Sequence, residues 1–297
     1  MKEQKTVVII GAGSIGQSLG YLLAKNGYQI LGFVSRSLNS AKQGVNLAGG
    51  GIATTEHKNF ILKADLILIT TPDQAIHDIA DNLFKQGLIS DNTTLIHCSG
   101  ALLSDILLSA DIEEGKYGRL ALHPLQSVAD VQKGISNLPN AFFTIEGNQI
   151  GREIGKEILK KLGAEYEIIS KEAKPIYHAA ACVASNYLVA IADLAIKMNE
   201  KAGIDSSKAA KGLLTLMEGT LNNIQDLGAT QALTGPISRG DIEVIKNHLD
   251  SLEELLPEKV RLYRSLGKHT TEIAQDKGTL TEKEYTELIN KLKVGER

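Results

Sequence analysis

The chain opens with an apolar stretch of strand length, Thr6-Val7-Val8-Ile9-Ile10, that runs straight into Gly11-Ala12-Gly13-Ser14-Ile15-Gly16. A helical pattern follows at once, with Ile15, Leu19, Leu22 and Leu23 on one face. Strand, Gly-x-Gly-x-x-Gly and helix in that order form a dinucleotide-binding turn. Gly11 permits the tight turn, Gly13 lets the backbone approach a pyrophosphate, and Gly16 lets the helix pack closely on the strand. The first free N–H groups of the helix then face the phosphates, assisted by its dipole. Gly11, Ala12, Gly13, Ser14, Ile15 and Gly16 are therefore the expected cofactor-binding turn.

The second strand, Tyr28 to Val34, ends in Ser35-Arg36-Ser37. An NAD site carries Asp or Glu roughly 20 residues beyond the glycines to hold the ribose hydroxyls. No acid lies between Gly32 and Ser40; Arg36 stands there between two hydroxyls. A guanidinium fork with small donors beside it suits a 2′-phosphate. Ser35, Arg36 and Ser37 thus point to NADP(H) as cofactor, the alternative being a solvated arginine.

Apolar and charged residues make up 43% and 23% of the 297, ordinary for a globular protein with room for two cores. A net charge of −3 gives no basic field for nucleic acid. No uninterrupted apolar run approaches the ~20 residues of a membrane span, and the early lysines precede a strand rather than a signal sequence. Two cysteines, Cys98 and Cys182, speak for a reducing compartment, so a cytoplasmic location is expected.

Strand and helix patterns alternate through the first half. Strands are expected at 52–54, 64–70, 93–97, 119–122, 141–145 and 165–169, with a helix over about 148–162. That order implies an α/β Rossmann-like, mostly parallel sheet, with ligands beyond the carboxyl ends of its strands. Thr71-Pro72-Asp73, His97 to Gly100 and His123 to Ser127 all sit at such ends, and Thr71 and Pro72 join the expected cofactor contacts. From about Lys171 helical periodicity takes over. The expectation is a cofactor domain over 1–170 and an all-α substrate and dimerisation domain over 171–297. A helix is expected from Ile242 to about Leu266, and the charged last ~30 residues read as a solvated terminal helix.

His178, Cys182 and Asn186 are spaced four and four, which on an α-helix keeps them within ~80° of arc. With imidazole titrating near neutrality, His178 is the expected proton donor to a carbonyl oxygen, and Asn186 the group that orients that carbonyl or the nicotinamide carboxamide. The structural alternative is a satisfied core histidine and a structural asparagine. Cys182, with no cationic neighbour in sequence, reads as an inert small hydrophobe. Ser99 and His123 end strands and are expected at the substrate, although His123-Pro124 also suits a plain turn. In Leu233 to Asp241, Thr234 and Arg239 are candidates for substrate oxygens, with Asp241 as a helix N-cap. Arg239 equally suits anchoring domains or subunits. The histidines and cysteines show no metal-ligand spacing.

The N-terminal glycine motif, Thr71-Pro72-Asp73, His97-Cys98-Ser99-Gly100, His123-Pro124-Leu125-Gln126-Ser127, His178 with Ser185-Asn186-Tyr187-Leu188, and Leu233 to Asp241 occur in an order that resembles one family. It is the Rossmann-like oxidoreductase family whose C-terminal domain long had no assigned function. Its PanG-type members reduce ketopantoate (2-dehydropantoate) to pantoate for pantothenate and coenzyme A. The resemblance implies an NADPH-dependent reductase of a small 2-oxo acid. More distantly, the layout is similar to the 6-phosphogluconate dehydrogenase-like superfamily, which implies a homodimer through the helical domain. Ketopantoate and β-hydroxyacid enzymes there carry a catalytic Lys four residues before an Asn. Asn186 matches that Asn, but Cys182 stands at the Lys position, so the lysine role is not carried over. His178 is the replacement, with Lys174 second to it. An imine reductase of the pyrroline-5-carboxylate type, and a nucleotide sensor without turnover, are the competing readings.

Overall fold

The computed structural model describes residues 4–108 and 115–293, and the chain divides into two compact units, 1–185 and 186–297. The first unit is built on one eight-stranded sheet in the order β3-β2-β1-β4-β5-β6-β7-β8. Its strands are β1 (Thr6–Ile10), β2 (Gln29–Val34), β3 (Ile52–Thr54), β4 (Leu66–Ile69), β5 (Thr94–His97), β6 (Gly118–Pro124), β7 (Phe143–Gly147) and β8 (Tyr166–Ile168). Among the described residues, only the β6–β7 pairing is antiparallel. The expected mostly parallel sheet is thus present, strand by strand, within a few residues of each expected boundary.

Helices α1 (Ser14–Lys25), α2 (Leu38–Ala48), α3 (Ile76–Lys85), α4 (Val131–Asn137) and α5 (Gln149–Leu162) link the strands. Alternate residues of one strand feed opposite cores. Val7, Ile9, Leu66 and Leu68 join one cluster, and Val8, Ile10, Ile67 and Ile69 the other. A sheet covered on both faces needs strands that are apolar throughout, which is how β1 and β4 read. At roughly 1.5–3 kcal/mol per buried aliphatic side chain, these strands hold the sheet together.

The last helix of this unit, α6 (Lys174–Cys182), starts with Pro175 at its first turn, where a missing N–H costs nothing. The sequence reading assigns this segment to the helical domain, with a boundary near Ser170. In the structure it groups with the sheet, because Lys174 at its start is buried against β7. A π segment, Val183–Tyr187, follows α6. The α-helical arc drawn through His178, Cys182 and Asn186 therefore does not run unbroken, since the i→i+5 pattern changes the angular step per residue. Asn186 is exposed.

The second unit holds α7 (Leu188–Lys201), α8 (Ser206–Leu227), α9 (Ala229–Ala232), α10 (Ile242–Leu255), α11 (Val260–Asp276) and α12 (Glu282–Lys291). The single helix expected from Ile242 to Leu266 is two. Pro257 cannot donate into the ladder, and the chain breaks there into a short 3₁₀ turn. The terminal segment is also more than a solvated helix: Leu288 and Leu292 are fully buried, packing with Ile245, Leu249 and Ala274. A capping box between Thr281 and Glu284 starts α12. By length and composition the helical stretch Lys174–Lys201 is apolar enough to cross a membrane, which the sequence reading did not expect. His178, Ser185, Asn186 and Asp193 interrupt every apolar run there, yet alanines and aliphatics keep the average high.

Candidate active site and dinucleotide cavity

Strand order reverses between β1 and β4, the point at which open α/β sheets bind ligands beyond their carboxyl ends. A cavity of about 620 Å³ lies there, lined by the ends of β1, β2 and β4 and the loops after them. Of the expected cofactor residues, Gly11, Ala12, Gly13, Ser35, Arg36, Ser37, Thr71 and Pro72 line it. Ser14, Ile15 and Gly16 form the first turn of α1 beside it.

Each glycine has a separate reason. Gly11 has φ +108°, and a Cβ on it would stand 2.7 Å from the Thr70 carbonyl. A Cβ on Gly16 would fall 2.0 Å from the Gly11 carbonyl oxygen, so only glycine lets α1 approach the turn. Gly13 faces open space, with nothing within 4 Å of where a Cβ would be. Helix α1 has no side-chain cap, so its first N–H groups are available to an anion. Thr71 Oγ1 is buried without a hydrogen-bond partner, as expected of a group waiting for a ligand atom. The residues present fit the phosphates of a dinucleotide. Arg36 is exposed at the rim, while Ser37 Oγ accepts from the Ser40 N–H at 3.2 Å and so caps α2.

One residue beyond Pro72, the Asp73 carboxylate accepts a hydrogen bond from Ser99 Oγ at 2.7 Å. Ser99 Oγ also accepts from the N–H groups of Ala101 and Leu102 at 3.2 and 3.1 Å. Its donor and both lone pairs are engaged in holding this loop. The loop sets Gly100 against two imidazoles: a Cβ there would lie 2.7 Å from His123 Nε2 and 2.8 Å from His178 Cδ2. The two rings meet edge-on, 6.5 Å between centroids. Cys182 Sγ lies 4.0 Å from both ring nitrogens of His178.

Behind the rings sits a group the sequence reading ranked second. Lys174 is 1% exposed, its Nζ 3.7 Å from Glu146 Oε2. The Glu146 carboxylate is held in turn by the Ser104 N–H at 2.6 Å and the Ser104 hydroxyl at 2.8 Å. Burial pulls the Lys174 ammonium down from 10.5 to about 8, and the Glu146 carboxylate keeps it from falling further. Burial, with the Lys174 cation and His178 beside it, lowers His123 to about 4. His97 falls to about 3, from burial first and the Lys174 cation second. Its tautomer is set: Nδ1 accepts the Ser99 N–H at 3.1 Å, so Nε2–H donates to the Leu103 carbonyl at 3.2 Å. Both imidazoles are thus neutral at neutral pH.

Tyr177, absent from the sequence reading, bonds His123 Nδ1 through its hydroxyl at 2.7 Å and also meets the Thr144 side chain. Lys174, Tyr177 and His178 are spaced i, i+3, i+4, one helix face; that spacing was the available signal. In the second unit Thr234 is exposed, and Arg239 is paired with Asp241, Nη2 to Oδ2 at 2.9 Å. Asp241 stands at the N-cap of α10 as expected, but its carboxylate holds Arg239 rather than capping the helix.

Residues 1–124 match the Rossmann-like domain, and residues 141–270 match a domain of unknown function, DUF2520. The solved structure of protein TM1727 from Thermotoga maritima is similar at 28% identity and a TM-score of 0.74, over 92% of this chain and 99% of that one. A Bacteroides fragilis protein, BF3122, provisionally named an NADP oxidoreductase, shares the fold at 22% identity and a TM-score of 0.70, over 91% and 98% of the two chains. Glycerol-3-phosphate dehydrogenase [NAD(P)+] of Bacillus velezensis is 29% identical over 115 residues, which span 35% of this chain and 33% of that enzyme. The chain thus joins a stretch that matches the Rossmann-like domain to one that matches DUF2520, on a fold similar to that of TM1727.

Proposed function

We propose that this protein is an NADPH-dependent reductase of a small 2-oxo acid, with 2-dehydropantoate, reduced to pantoate, as the substrate of choice. The observation that carries the reading is the Asp73–Ser99 hydrogen bond. It ties the rim of the dinucleotide cavity to the loop on which His123 and His178 converge, so cofactor and proton chemistry share one frame. NADPH, when bound, supplies the hydride. Gly11, Ala12, Gly13 and the first turn of α1 hold its phosphates, Thr71 Oγ1 takes an otherwise missing partner, and Arg36 with Ser35 and Ser37 meets the 2′-phosphate.

The chain's own residues handle the proton. His123, neutral and with its Nδ1 tied to the Tyr177 hydroxyl, presents Nε2 on the side of Gly100, and with the hydroxyl donating to Nδ1 that Nε2 carries the proton. A neutral imidazole polarises a carbonyl by donating a hydrogen bond without surrendering its proton. The proton itself falls to His178 across Gly100. Ser99 acts through the loop it holds. Lys174 keeps its charge below about pH 8 and adds to the burial that keeps His123 neutral.

The working form is a homodimer in the cytoplasm. Val189, Leu214, Leu216, Leu221 and Leu227 in α7 and α8 are each more than half exposed. Apolar surface on that scale marks an interaction site, and a second copy is the proposed occupant. Leu216→Glu then lowers the mass in solution by half; an unchanged mass removes this surface from the reading.

The test is NADPH oxidation with ketopantoate beside 2-oxoisovalerate and pyrroline-5-carboxylate. Turnover with ketopantoate that collapses in His178→Ala, with NADPH binding intact, supports the assignment. Turnover only with the imine moves the protein to the pyrroline-5-carboxylate type. NADPH binding without turnover on any of them leaves a sensor and discards the reductase.

A further inference from the structure

Among the residues lining the dinucleotide cavity is an imidazole that the proposed chemistry does not use, His57. β2 and β3 run parallel with Val34 beside Thr54, and the Ser35 N–H donates to the Thr54 carbonyl at 3.0 Å. Residues just past the two strands therefore emerge together: Arg36 from one, Thr55 and His57 from the other. Across the cavity Pro72, Ala75 and Ile79 form an apolar wall. An apolar wall with a polar rim suits a flat heteroaromatic ring, whose faces need contact and whose edge needs hydrogen bonds.

The edge chemistry is set outside the cavity. Asn82 Oδ1 on α3 accepts from Gln86 Nε2 at 2.8 Å, which orients the Asn82 amide with its oxygen toward His57. His57 Nδ1 lies 3.2 Å from that same oxygen. An oxygen only accepts, so Nδ1 carries the imidazole proton and Nε2 keeps its lone pair. A neutral His57 is thus an acceptor on its Nε2 side.

We infer that His57 reads the 6-position of the cofactor's purine, accepting a hydrogen bond at Nε2 from the exocyclic amine of adenine. This rests on the dinucleotide reading of the cavity and adds a base-specific contact to it. A purine with a 6-oxo group offers an oxygen at the 6-position, and two acceptors face each other without a proton between them. The site therefore favours adenine over hypoxanthine.

The experiment compares NADPH with its deamino (hypoxanthine) analogue, both fluorescent through the dihydronicotinamide, by direct titration of the full chain. Wild type binds NADPH about tenfold more tightly than deamino-NADPH, the effect of one hydrogen bond replaced by an unpaired acceptor. His57→Leu brings the ratio to about one, by removing both the bond to the amine and the clash of acceptors with the 6-oxo group. Asn82→Leu, which frees the ring to take either tautomer, shrinks the ratio. Arg36→Ala weakens both dinucleotides and leaves the ratio in place. A wild-type ratio near one, a preference for the deamino form, or a ratio unchanged in His57→Leu overturns the assignment while the cavity's role stands. Failure of both dinucleotides to bind overturns the cofactor reading, and this inference with it.

Discussion

Removing the carboxylate behind Lys174, by Glu146→Gln, makes the buried ion pair measurable. In the unfolded chain Lys174 holds its proton up to 10.5; in the fold it releases it at about 8. Below pH 8 the folded state thus carries a buried cation at a cost of about 3 kcal/mol, at about 1.4 kcal/mol per pH unit between the two values. Between pH 8 and 10.5 the unfolded chain binds more protons, so wild-type stability rises through that window. Glu146→Gln removes the group that holds the folded value up. The amine escapes by deprotonating, which limits the added cost to the distance between 8 and the working pH. That limit is zero at pH 9, about 1 kcal/mol at pH 7 and about 3 kcal/mol at pH 6. Weaker bonds to Ser104 add a pH-independent loss of about 1 kcal/mol. Urea unfolding of wild type and Glu146→Gln at pH 6, 7, 8 and 9 measures the gap directly. The gap widens as pH falls, and in the Lys174→Met, Glu146→Gln double variant this widening disappears. A gap that stays constant from pH 6 to 9, or grows with pH, refutes the reasoning.

Three further outcomes follow from the site. Gly100→Ala drives a methyl to within 2.7–2.9 Å of His123 and His178, so kcat drops at least about tenfold while NADPH binding holds; loss of both in parallel would point to a misfolded loop instead. Thr71→Val removes an unpartnered buried hydroxyl, so thermal stability is kept or raised while NADPH binds about fivefold more weakly by titration; unchanged affinity would remove Thr71 from the cofactor contacts. Arg36→Asp weakens NADPH far more than NADH in the same titration, and equal effects would remove the 2′-phosphate assignment.

What the sequence disclosed, and what it hid, divides along the range of the forces involved. Strands β1 to β8 and the glycine turn are written in local patterns: period-two or continuous apolar runs, and glycines whose missing Cβ the turn requires. Pro257 was equally local and legible, but reading through it merged α10 with α11. Lys174 was hidden for another reason. Its partner Glu146 stands 28 residues earlier on a strand, and nothing in either neighbourhood announces that the two are buried together. Tyr177 stands 54 residues from His123, and Gly100 is likewise far in sequence from both imidazoles it meets. Two of these pairs, Tyr177 with His123 and His178 with Gly100, also cross the two matched segments. Ser99, Gly100 and His123 lie in the Rossmann-like stretch, whereas Glu146, Lys174, Tyr177 and His178 lie in the DUF2520 stretch. Neither stretch alone holds a proton donor with its environment. Beside burial, the DUF2520 stretch supplies the lysine that helps keep His123 neutral, and the Rossmann-like stretch supplies the glycine against which His178 is set. A chemical role assigned to either stretch in isolation would therefore miss half of the groups that set its proton state.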